Sequence, residues 1–102
     1  MASPRLVPID RPDAPPLAIS ARLRGQLVYF MTPPGSPGVP ELTETEFWFN
    51  PDEVARWLDE GVIYLVSPLD SANATEVELS EEQETLLAWL KRHDVRHVRA
   101  EE

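Results

Sequence analysis

Proline is distributed very unevenly along this chain, and it limits the fold more than any other feature. Nine of the eleven prolines fall in the first 40 residues. Proline lacks a backbone N–H and fixes φ, so it is excluded from helix interiors and from central strands. Pro4, Pro8, Pro12, Pro15 and Pro16 predict an extended, polyproline-like arm over residues 1–16, docking through Leu6, Val7 and Ile9. Residues 17–102 are expected to form a single α+β domain. Pro33, Pro34, Pro37 and Pro40, with Gly35 and Gly38, predict a loop over residues 32–43.

The proline-poor remainder is read by periodicity. Ile19, Ala21 and Leu23 alternate with polar residues, and Leu27–Met31 is continuously apolar. Both patterns predict strand over residues 17–31, with Gly25 and Gln26 as a hairpin turn or Gly25 as a bulge. Residues 44–49 predict a second strand, with Thr45, Phe47 and Phe49 on one face and Glu44, Glu46 and Trp48 on the other. Asn50-Pro51-Asp52-Glu53 reads as a capped helix start, and Gly61 as its left-handed stop.

Val62–Val66 is the strongest strand signal and is expected at the sheet centre. A polar turn over Asp70–Ala74 and a strand over Thr75–Leu79 follow. Ser80 and Gln83 form a capping box for a helix to about His93. A last strand is expected over Val95–Arg99. The order β-α-β-β-α-β follows one or two N-terminal strands. It predicts a mostly antiparallel sheet of four to five strands with two helices on one face, in split βαβ, ferredoxin-like order. An antiparallel sheet without that order is the alternative.

Composition narrows the function. The net charge is −9 and cysteine is absent. The acidity lies late: four arginines face three acids up to residue 43, and five basic face fifteen acidic residues after it. This argues against nucleic acid or an anionic membrane as partner. No apolar run reaches the roughly 18 residues of a membrane span, and no basic start precedes an apolar leader. A cytoplasmic protein is expected, and the eight arginines against one lysine suggest a bacterial genome.

No catalytic, cofactor or metal residues are assigned. His93-x-x-x-His97 straddles the expected helix exit, so the two rings do not share a face. Asp70, Asn73 and Glu76 lack the spacing of a calcium loop. Asn73-Ala74-Thr75 matches a glycosylation triplet only by chance. Glu76, Glu78, Glu81, Glu82 and Glu84 read as a solvated acidic face. Ser36 lacks the strand-turn-helix setting of a nucleophile.

The candidates that remain are contact residues. Trp48, beside Glu46, is expected on the sheet face away from the helices, forming an aromatic platform with Tyr29 or Tyr64. Pro34, Pro37 and Pro40 lie in a PxxP-like segment that could serve as a preformed ligand. That second sheet face is expected to be apolar and covered by the arm, a second copy or another protein. The chain is therefore expected to be a small acidic, non-enzymatic protein-interaction module, as a homodimer or within a larger bacterial assembly. Two alternatives are a small-ligand regulatory domain and an acidic inhibitor imitating nucleic acid.

Overall fold

The computed structural model describes residues 3–67 and 70–101. It is α+β, with three helices, a four-stranded antiparallel sheet and a separate two-stranded ribbon. In chain order the elements are β1 (Arg5–Pro8), β2 (Leu17–Ala18), α1 (Ala21–Phe30), β3 (Glu46–Trp48), α2 (Pro51–Glu60), β4 (Val62–Ser67), β5 (Asp70–Glu78), α3 (Glu81–Arg92) and β6 (His97–Glu101).

The larger sheet has the order β2-β1-β6-β3. β1, inside the segment expected to be an arm, is therefore a central strand. Its prolines do not interrupt it: Pro4 precedes β1, Pro8 is its last residue, and the Ile9 N–H donates to the His97 carbonyl at 2.8 Å. Leu6 is fully buried, while Ile9 remains 39% exposed.

The split βαβ order is not formed. It would require the strands at 44–49 and 75–79 to lie side by side and parallel, whereas β3 pairs with β6 and β5 pairs with β4, both antiparallel. The ten residues of α2 connect β3 to a different sheet. Val62–Val66 is consequently in a two-stranded ribbon and not at a sheet centre. The polar turn expected at Asp70–Ala74 is also displaced, since Asp70 already pairs with Ser67 and β5 runs from there to Glu78.

The largest departure is residues 17–31, which are mostly helix. The Ser20 hydroxyl caps α1 by accepting from the Leu23 N–H at 3.1 Å. Leu23, Leu27 and Phe30 are buried, at the i, i+4 and i+7 spacing of one helical face. The alternation of Ile19, Ala21 and Leu23 is a coincidence of that spacing. Gly25 is neither turn nor bulge. It sits mid-helix, where an added Cβ would meet nothing within 4 Å.

The other helices follow their sequence signals. The Asn50 side chain accepts from the Asp52 N–H at 2.9 Å, and Gly61 ends α2 at φ 74°. Ser80 and Gln83 form both bonds of the capping box before α3. Asp94 turns the chain out of α3 at φ 53°, and β6 starts at His97, two residues later than expected.

One core joins all of this. Leu6, Phe47, Val98 and Ala100 come from the inner face of the larger sheet, Leu86, Leu87 and Leu90 from α3, and Ile63 from β4. The outer sheet face is mainly polar: Arg5 pairs with Glu101 at 3.1 Å, and Arg99 with Glu101 at 2.7 Å. The expectation of an apolar second face fails because residues 27–31 and 62–66, which were to supply it, lie outside this sheet.

Candidate functional site: an apolar groove between two helices and the ribbon

α1 turns Leu23, Leu27 and Phe30 inward, which leaves Val28 and Tyr29 41% and 40% exposed. α2 buries Val54 and Trp57 and carries Glu53 and Arg56 on its flank. Between the end of α1, Pro33 and Pro34, α2 and the β4 residues Tyr64 and Val66 lies a groove of about 530 Å³. The Phe30 ring is tilted against Phe49, with centroids 5.8 Å apart, and meets Trp57 edge-on at 6.2 Å. Trp57 contributes an unusual polar feature: its Nε1–H is buried without a hydrogen-bond partner among the described residues.

The lining is chemically uniform. Valine, methionine, proline and aromatic side chains make most of it, and Glu53 and Arg56 supply its charges. Such a surface offers apolar area with a few polar contacts, as ligand and peptide grooves do. A shallower depression adjoins the groove, sharing Pro33 and Glu53 with it. It includes Trp48, Pro37, Gly38 and Arg96.

The residues singled out from sequence are therefore divided. Tyr29, Tyr64 and Pro34 line the groove. Trp48 and Pro37 line the neighbouring depression. The expected platform of Trp48 with a tyrosine does not form, because Trp48 projects from the outer face of β3 and meets the edge of His97, with centroids 6.1 Å apart. Glu46, on the same face, pairs with His97 Nε2 at 3.1 Å. Pro40 is half-buried and lines neither depression.

The prolines also do not present an extended helix. The Ser36 N–H donates to the Pro33 carbonyl and the Val39 N–H to the Ser36 carbonyl, and Gly35 and Gly38 have φ of 91° and 83°. Two consecutive turns fold the segment on itself. Thr32 anchors it: its N–H donates to the Trp48 carbonyl at 2.7 Å, and its hydroxyl accepts from the Asn50 N–H at 2.9 Å.

Val28, Met31, Trp57 and Val66 were missed as groove residues. For Val28 and Met31 the signal was the Ser20 cap followed by helical spacing, obscured by the continuous apolar run at 27–31; Trp57 and Val66, on α2 and β4, gave no local signal of the groove.

Of the five acids expected on a solvated face only Glu82 is engaged, and other acids, outside that face, tie elements together. Glu82 accepts from both the N–H and the hydroxyl of Ser20, joining α3 to the start of α1. Asp10 accepts from the Arg96 and His97 N–H groups. Arg11 pairs with Asp94 at 2.7 Å and holds its carboxyl below the usual range. Glu76 and Glu78 on β5, and Glu81 and Glu84 on α3, are exposed. His93 lies beside Trp89, with ring centroids 6.3 Å apart. Among the described residues, no three His, Asp or Glu side chains are grouped as metal ligands would be. No helix among them is long and apolar enough to cross a membrane.

Compared with protein-family models, curated proteins and solved structures, the chain matches none.

Proposed function

We propose that the protein is a non-enzymatic interaction module whose groove receives apolar side chains of another protein. The observation that carries this reading is the exposure of Val28 and Tyr29 on the lip of an apolar groove. A helix that already has a buried stripe gains nothing in isolation from two further large apolar residues in water. Aromatic residues framing a pocket are also the usual anchors of protein contacts. The reading places the protein in the cytoplasm of a bacterium, a placement supported by composition only.

A photo-crosslinking amino acid at position 29 tests it in the native cell. Adducts to a protein are expected at position 29 and not at exposed Arg22 on the same helix. Equal or absent adducts at both positions reject the reading.

A second reading is favoured by one observation. Trp57, whose buried Nε1–H has no partner among the described residues, lines a groove whose volume suits a small ligand. In that case a metabolite carrying a hydrogen-bond acceptor raises the melting temperature, and Trp57→Phe removes the rise. The imitation of nucleic acid is less well supported. Glu46, Glu82, Asp94 and Glu101 are each held by a partner within the fold, which breaks up any regular stripe of free carboxylates.

A further inference from the structure

The outer edges of the two sheets are not protected alike. Unpaired strand edges invite association, and proteins usually blunt them with short strands, proline or charge. β2 has two residues and follows Pro15 and Pro16. β3 has three residues and carries Glu46. β5 is long, but Glu76 and Glu78 are exposed on it.

β4 is less protected within its own span, although α1 packs close to it and Pro68 follows it in the sequence. Val62–Ser67 is six residues long, uncharged and free of proline, and it is rich in the side chains that favour strands. It pairs with β5 on one side. Among the described residues, no strand pairs with its other side and no backbone hydrogen bond from another segment reaches it there.

We propose that β4 pairs antiparallel with β4 of a second copy of the chain, giving a continuous sheet β5-β4-β4-β5 across a two-fold axis. The inference rests on the reading of this region as a contact surface and names its occupant. Charge decides in favour of a second copy meeting here. Two chains of net charge −9 repel each other, so a self-contact is tolerated only where charge is missing, and like charges across paired strands are destabilising. β4 brings no charge to its own copy. Antiparallel self-pairing also fills both edges at once and closes the assembly at two copies. Val28 and Tyr29 share the groove with Tyr64 and Val66, so they extend the apolar contact beyond the backbone.

Sedimentation equilibrium of the whole chain at tens of micromolar is expected to give twice 11.5 kDa. Val66→Lys and Val66→Glu are each expected to be monomeric with unchanged helical circular dichroism. Mixed together, they are expected to restore part of the doubled mass, because the two copies then bring opposite instead of like charges to the contact. A parent chain that is strictly monomeric overturns the proposal and leaves the groove reading to its crosslinking test. A dimer that survives both Val66 variants also overturns it. If Tyr29→Glu separates that dimer, the contact surface stands without strand pairing. Should the Val66 variants unfold, amide exchange of residues 62–66 in the parent decides. Protection that rises with concentration supports the proposal, and protection independent of concentration overturns it.

Discussion

Ile63 and Leu65 lie on one side of β4, two residues apart, yet they differ in what covers them. Ile63 is fully buried, whereas Leu65 is only partly buried against the core. Truncating a buried Ile or Leu costs about 2–5 kcal/mol. Ile63→Ala is therefore expected to lose at least twice the stability lost by Leu65→Ala in urea unfolding. Similar losses would mean that the core extends along the ribbon. Trp89 is 8% exposed and adds a specific tie, its Nε1–H donating to the Pro15 carbonyl at 3.0 Å. Trp89→Phe keeps most of the packing and loses that bond, for about 1 kcal/mol. A neutral result would show that water replaces the tie without cost.

The two glycines inside or next to helices give opposite forecasts at the level of the element. Gly25 has open space around its missing Cβ within α1, so Gly25→Ala is expected to stabilise by about 0.5–1 kcal/mol. Gly61 also has space, but its φ of 74° suits few L side chains, and Gly61→Ala is expected to destabilise by about 1 kcal/mol. Thermal melts of the two variants check both signs. α2 and α3 were legible in the sequence because their signals are local: Asn50-Pro51 and Ser80…Gln83 each satisfy free N–H groups within one turn. Residues 46–48 were legible because buried Phe47 and Phe49 alternate with half-buried Glu46, Trp48 and Asn50. α1 was not, since Leu27–Met31 is apolar at every position and a short apolar run carries no period. Which strands pair was also illegible. The β1–β6 partnership depends on residues more than 90 apart, Arg5 opposite Glu101, and no local pattern encodes it. For the groove, single aromatic residues were visible, but the wall that collects Tyr29 and Tyr64 arises only when α1 exists.

Across the whole molecule, the two ends of the chain are fastened by exposed ion pairs. Arg99 and Arg5 hold the Glu101 carboxyl below its usual range, and Arg11 does the same to Asp94. A carboxylate lowered in the fold stabilises it above the unfolded carboxylate range, and that contribution disappears as pH falls through the lowered value. These groups are exposed, so the effect is small and screened by salt. Asp94→Asn with Glu101→Gln is expected to flatten the fall of Tm with acid at low salt and to match the parent at high salt. Identical pH profiles at low salt would show that these pairs add nothing. The position of β1 has a further effect on how the chain is made. A central strand supplied by residues 5–8 must wait for residues 97–101 before its place in the larger sheet exists. Synthesis proceeds from the N-terminus, so everything between β1 and β6 is made before that sheet can close. Until then Leu6 and its apolar neighbours are open to chaperones, and the pairing that completes the larger sheet is a late, long-range step of folding.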